Sequence, residues 1–287
     1  MFDRIFVPLE GSSDSESVLS WLRSWDLADA KVTLFHCLPT RPPNGSAVKA
    51  SRFETPEQAR EYLESVGRTL TPPAEALVRT GSPGERIVTA ALQADAGLVV
   101  LGVSGDYGSP RTLGSVAGIV VKTCPQPVVV VKTPVRPARR RVRRILAPLD
   151  SSSRGDENMD VLRDVARDLK AEIIILHVGA ADSESAVSSG EATYSDVQLN
   201  LIRQVWSFLK DGIAARTIMT KGSIVEEILT HEESLDVDLV AVPKENQPGL
   251  LNWTSVVDRC ERAVLLYEPR DAGSFSPAPT RTTAARL

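Results

Sequence analysis

The feature that most constrains this chain is that it repeats itself. Arg144-Ile145-Leu146-Ala147-Pro148-Leu149-Asp150-Ser151-Ser152 restates Arg4-Ile5-Phe6-Val7-Pro8-Leu9-Glu10-Gly11-Ser12. Glu172 to Val178 restates Lys31 to Cys37, with His177 at the place of His36. Gly222-Ser223 followed by Ile228 restates Gly81-Ser82 followed by Ile87, and Leu239 to Val242 restates Leu98 to Leu101. The offset stays at 140 to 141 throughout. Register held over that length means one supersecondary plan used twice, and 287 residues leave room for two ordinary domains.

Within each copy, apolar runs alternate with helical patterns. In the first, Arg4–Leu9, Lys31–Cys37, Ala76–Thr80, Leu98–Val103 and Val128–Val131 read as strands, because both faces of several of them are hydrophobic. Ser13-x-x-Glu16 and Thr55-Pro56 with Gln58 read as helix starts, and Pro39–Phe53, rich in Pro, Ser, Gly and basic residues, reads as a mobile surface loop. Val18, Trp21, Leu22 and Trp25 form one apolar stripe, and Ala59, Tyr62, Leu63, Val66 and Leu70 another. A third helix starts at Pro83, with Ile87, Val88, Ala91 and Leu92 inward. A fourth follows Gly114-Ser115, with Val116, Ile119, Val120 and Thr123 on one face. In the second copy Met159, Leu162, Val165, Ala166 and Leu169 form one helix stripe, and Val197, Leu201, Val205 and Phe208 the next. Strand–helix alternation with right-handed crossovers predicts an α/β fold: two tandem open five-stranded parallel sheets with helices on both faces. Ligands of such sheets bind outside the carboxyl ends of strands, where strand order switches. Glu10, Cys37 and Gly102 all fall at predicted carboxyl ends.

The stretch after Leu98 carries the chemistry. Gly102-x2-Gly105 closes a buried strand, a polar loop follows, and Gly114-Ser115 opens a helix. Glycines there let backbone N–H groups approach an anion, and the helix start adds unpaired N–H groups and a favourable dipole. The plainer reading is that these glycines only make turns. In the second copy Pro243 replaces Gly102, Asn246 replaces Gly105, and Thr254-Ser255 stands for Gly114-Ser115 across a shorter loop containing Pro248 and Trp253. Proline removes a donor and side chains obstruct the backbone, so this copy is expected not to hold a triphosphate.

Gly102-x2-Gly105-x8-Gly114-Ser115 resembles the ATP-binding signature of the universal stress protein family, Gly-x2-Gly-x9-Gly-Ser/Thr, with a loop one residue shorter. The resemblance covers nearly the whole chain as two tandem copies. It implies an open α/β nucleotide-hydrolase-like fold, Rossmann-like in plan, and an ATP-binding regulatory protein of the stress response. The cofactor it implies is ATP, with or without Mg, in the first domain. Pro8, Glu10 and Cys37 would border the adenine. Leu101, Gly102, Ser104 and Gly105 would follow the ribose and phosphates, and Gly114, Ser115 and Val116 would complete the phosphate end. Glu10 stands where the family usually has Asp, and Cys37 reads equally well as a core thiol. The resemblance also implies that Val128–Lys132 and Ala263–Tyr267 pair within the chain, and it leaves a homodimer open.

Domain limits follow: 1–135 with the glycine motif, an Arg-rich linker over 136–143, a degenerate second domain over 144–268, and a disordered tail over 269–287. The basic run Thr133–Arg144 reads as a solvated linker before it reads as a nucleic-acid or lipid patch. A net charge of −4 argues against general nucleic-acid affinity, and no apolar run is long enough for a bilayer. The expectation is no nucleic-acid partner, no membrane and a cytoplasmic location, with no leader before the first strand. Cys37, Cys124 and Cys260 are too scattered for a zinc or disulfide pattern and read as buried thiols. His36, His177 and His231 form no visible catalytic set. With no Walker motif and no lysine in the Gly102–Ser115 loop, an adenylate enzyme ranks below two other readings: an ATP-binding regulator, or a non-nucleotide scaffold of the same fold. No catalytic residue and no metal ligand is expected.

Overall fold

The computed structural model describes residues 2–23, 25, 30–40, 51–104, 113–133, 141–149, 153–179, 195–244 and 252–269. The first repeat runs β1 (Arg4–Pro8), α1 (Ser13–Leu22), β2 (Lys31–Pro39), α2 (Pro56–Gly67), β3 (Glu75–Gly81), α3 (Pro83–Gln93), β4 (Leu98–Ser104), α4 (Ser115–Thr123) and β5 (Val128–Thr133). The second runs β6 (Arg144–Pro148), α5 (Ser153–Leu169), β7 (Glu172–Gly179), α6 (Asp196–Lys210), β8 (Ala215–Lys221), α7 (Ile224–Ser234), β9 (Leu239–Pro243), α8 (Trp253–Arg259) and β10 (Ala263–Tyr267). Among the described residues no helix is long and apolar enough to cross a membrane.

The strands form one ten-stranded sheet in the order β3-β2-β1-β4-β5-β10-β9-β6-β7-β8. Each five-strand half is parallel. The halves meet at an antiparallel pair, with Val128 opposite Leu266, Val129 opposite Leu265 and Val130 opposite Val264. All six side chains are buried, each contributing about 1.5–3 kcal/mol by leaving water. Left uncovered, these apolar edges would be open to association. Two lysines cross this seam. Lys132 Nζ donates to the Cys260 carbonyl at 2.6 Å, and Lys244 Nζ donates to the carbonyls of Cys124 and Gln126. Burial pushes the Lys244 amine below its usual range.

Strand alternation sorts the core into two layers. Ile5, Val7, Leu98, Val100, Val129 and Val131 face α1, α2, α5 and α6. Phe6, Val99, Leu101, Val128 and Val130 face α3, α4, α7 and α8. The expected stripes of α1, α2 and α5 are inside, and all three cysteines are buried and free.

Three local expectations change. The α1 cap is Ser12, whose Oγ accepts from Ser15 N at 3.1 Å, rather than Ser13. Gly11 turns the chain at φ +87° and brings the cap one residue earlier, leaving Glu16 to accept from Tyr62 Oη at 2.9 Å. In α3, Leu92 is exposed and Ala90 takes the inner position. In α4 the core side is Val120, Val121 and Cys124, whereas Val116, Ile119 and Thr123 lie outside it.

Gly105, most of the Arg-rich linker (residues 136–140), most of the loop expected over Pro39–Phe53 (residues 41–50) and the tail over 270–287 lie outside the described residues.

Candidate functional site

Strand order reverses across β1, which has β2 on one side and β4 on the other. The crevice opens at their carboxyl ends, where the parallel-sheet rule places ligands. An inner cavity of about 210 Å³ is lined by Pro8, Leu9, Glu10, Ser15, Phe35, His36, Cys37, Ile87, Leu101, Gly102, Val116 and Ala117. A wider trough of about 520 Å³ continues from it. The trough shares Glu10, His36, Cys37 and Val116 and adds Gly11, Ser12, Pro39, Ser51, Arg52, Ser82, Pro83, Ser115 and Ile119. Both parts are mainly apolar in surface, and the outer part adds four serine hydroxyls and one guanidinium. A mainly apolar lining with a few placed polar groups is the usual composition of a small-molecule site.

The α4 stripe now has its explanation. Val116 and Ile119 are turned away from the core because they wall the cleft. Gly84 lets α3 close on α4 there, since a Cβ at Gly84 would sit 2.9 Å from the Ile119 side chain.

One edge of the cleft is held by a network that sequence spacing did not reveal. His36 is buried. Its Nδ1 lies 2.7 Å from the Leu9 carbonyl, which can only accept, so Nδ1 carries the proton. Nε2 then accepts from the Ser51 hydroxyl at 3.0 Å. Burial pushes this imidazole below its usual pKa, against the upward pull of the Leu9 carbonyl and Glu10, and keeps it neutral. Phe53 meets the His36 ring edge-on at 5.0 Å and stacks on Tyr62 at 4.8 Å. Arg52 Nη1 donates to the Gly11 carbonyl at 2.6 Å. Thus Ser51, Arg52 and Phe53, expected as part of a mobile loop, are tied to the ends of β1 and β2. The available signal was the recurrence of His at position 36 and again at 177.

Gly11 is the pivot of that edge. A Cβ there would lie 2.9 Å from Phe53 Cε2, and its φ of +87° is unfavourable for any side chain. Gly11→Ala is expected to cost about 1–3 kcal/mol and to loosen the Ser51–Phe53 segment. Urea denaturation and amide exchange check this, and a variant as stable as the wild type would contradict it.

Of the residues named from sequence, Pro8, Glu10, Cys37, Leu101, Gly102 and Val116 line the inner cavity, and Ser115 lines the trough. Glu10 is exposed and accepts from Ser12 Oγ at 2.9 Å. Burial pushes the Cys37 thiol up to about 11, with Arg86 pulling it down, so it presents a neutral, weakly polar surface. Gly102 lies in β4 opposite Val131, and Ser104 ends that strand. Gly114 is the N-cap of α4 and supplies no capping side chain. The first helical bond runs from Gly118 N to Gly114 O at 2.8 Å, so the N–H groups of Ser115, Val116 and Ala117 have no acceptor within the helix. Asp258 of α8 accepts from Leu113 N–H just before this helix start, and burial raises its carboxyl above the usual range.

The second repeat differs at one decisive place. Counted back from the capping cysteines Cys124 and Cys260, Trp253 occupies the position of Ala117. Thr254-Ser255 therefore fall one turn inside the helix, at the places of Gly118 and Ile119, and not at Gly114-Ser115. Helix α8 has seven residues against nine in α4. Trp253 is buried in the same apolar layer as Leu176, Ile228 and Val242. Those three are the repeat counterparts of Phe35, Ile87 and Leu101, which line the first cleft.

Comparison with known proteins agrees with this architecture. The family model described as "Universal stress protein family" matches twice, over residues 1–132 and 141–263. A universal stress protein from Archaeoglobus fulgidus DSM 4304 is similar in structure, with a TM-score of 0.71 at 19% identity, covering 94% of this chain and 99% of that one. A functionally unknown protein from Pseudomonas aeruginosa PAO1 has a TM-score of 0.63 at 15% identity, covering 93% of each chain. A universal stress protein from Archaeoglobus fulgidus in complex with dAMP matches over a shorter span, 43% of this chain and 96% of that one, at 13% identity and a TM-score of 0.33. No curated protein matches. With both repeats matched in sequence and the α/β plan present in each, the chain belongs to the universal stress protein family.

Proposed function

We propose that the chain is an adenine-nucleotide-binding regulatory protein, with ATP bound once, in the cleft of the first repeat. The observation that carries this reading is the convergence at the β1–β4 switch point. A mainly apolar slot bounded by Pro8, Cys37, Leu101, Gly102 and Val116 leads into a wider trough that adds four serine hydroxyls and Arg52, at an α4 start without a side-chain cap. In this reading Glu10 borders the base and Ser104 and Gly105 follow the ribose and phosphates. The N–H groups of Ser115 and Val116 take the phosphate end together with the Ser115 hydroxyl. The second repeat is the pairing half. Trp253 stands in its cleft, Pro243 removes a backbone donor, and β10 completes the sheet edge of β5. Domain limits of 1–135 and 144–268 fit this division.

The role is binding and signalling rather than turnover. In this reading Mg is carried by the phosphates. A cytoplasmic, stress-linked role is the setting that family membership supports.

Gly105→Glu adds bulk and negative charge where the backbone is expected nearest the phosphates. Losing one charge-assisted hydrogen bond weakens binding by roughly ten- to a hundredfold, and repulsion adds to that. Asn246→Glu, the matched change in the second repeat, is expected to leave affinity unchanged. Calorimetry with ATP reads both. Unchanged affinity in Gly105→Glu would favour a scaffold without nucleotide.

A further inference from the structure

We infer that the outer face of α6 is a docking surface for a second copy of this chain. Helix α6 buries Leu201, Gln204 and Phe208. On its opposite side Leu199, Ile202, Trp206 and Leu209 are exposed by 40, 41, 58 and 45%. Their spacing of three, four and three is the a/d spacing of a helix-pairing seam. Scattered exposed apolar residues are ordinary, but four in one line with a tryptophan among them form a patch. The corresponding helix of the first repeat lacks it, for α2 exposes Glu57, Arg60, Glu61 and Glu64. Met219, on the edge strand β8, is also exposed. It shares a strand face with Ala215, which packs in the α6 layer.

The charges beside the seam select the occupant. Asp196, Arg203 and Lys210 lie seven residues apart and are all exposed, so they form one flank of the stripe. Reversing a copy of the helix about a two-fold axis at the level of Gln204 sets Leu199 against Leu209 and Ile202 against Trp206. It also leaves Asp196 of each copy two residues, about 3 Å along the helix, from the level of Lys210 of the other, within reach of the long lysine side chain, an attractive pair at both ends, and opposes the two helix dipoles. The face is complementary to itself when reversed, which is the requirement for an isologous two-fold contact. The two Arg203 side chains flank the axis as a like-charged pair that stays in solvent, each holding Asn200 Oδ1 at 3.3 Å, so the attraction comes from the two outer Asp196–Lys210 pairs. Fifteen residues give a seam about 22 Å long, enough for a reversible rather than permanent dimer.

Sedimentation of the full chain across a wide concentration range tests this. The wild type is expected to show a monomer–dimer equilibrium, and Trp206→Glu to weaken it by roughly thirtyfold or more, with the thermal melt unchanged at dilutions where both are monomeric. Arg203→Cys is expected to form a disulfide-linked dimer on mild oxidation, because the axis brings the two thiols together. Arg60→Cys on α2 is expected to remain monomeric, and the native cysteines are buried. Three results would overturn the inference. These are a wild type that stays monomeric throughout, which would give the face to another protein or a lipid surface, a dimer indifferent to Trp206→Glu, and equal crosslinking at positions 60 and 203.

Discussion

Trp253→Ala is expected to destabilise the protein by about 3–5 kcal/mol, the cost of removing a fully packed aromatic side chain. Trp253 is almost wholly buried and shares its layer with Leu176, Ile228, Val242, Val256 and Val257. Deleting the indole leaves a void at the place where the first repeat has its cleft. The opened space is not expected to take up ATP. Pro243 still lacks the N–H that Gly102 offers, and α8 starts too late to present a counterpart of Ser115. Urea denaturation followed by circular dichroism reads the stability, and calorimetry with ATP reads the site. A loss below about 1 kcal/mol would show that the tryptophan is not packed as described.

The reciprocal change isolates the first cleft. Ala117→Trp places in α4 the residue that the second repeat carries at the same helical position. Ala117 lines the inner cavity beside Ile87 and Leu101, so the new indole has space to enter without displacing the core. ATP affinity is expected to fall by a hundredfold or more, about 2.7 kcal/mol, while stability stays within about 1–3 kcal/mol of wild type. Together the two variants separate a filled cleft from an open one within a single chain. A variant that binds ATP as tightly as the wild type would place the nucleotide elsewhere.

How much of this was legible beforehand depends on the kind of residue. The repeat and its strand runs predicted the alternation, because valine-rich segments apolar on both faces have few alternatives to a buried parallel strand. Helix α4 shows where periodicity stops. Val116 and Ile119 read as core, since apolar spacing cannot distinguish a side chain facing the sheet from one facing an apolar cleft. The α1 cap slipped by one residue because Gly11 adopts a positive φ and advances the helix start. Leu92 fell outside because α3 turns Ile87, Ala90 and Ala91 inward instead. The His36–Ser51 contact joins residues separated by a long loop, and composition alone assigned that loop only to the surface. Trp253 was visible as a letter, yet the shorter loop hid its register. Only the capping cysteines reveal that it replaces Ala117.

Titration of the purified, nucleotide-stripped full chain with ATP by calorimetry decides whether the first cleft is the nucleotide site. One site per chain is expected in the wild type and none in Ala117→Trp. Two equivalent sites per chain, or a site that survives Ala117→Trp, would contradict that assignment.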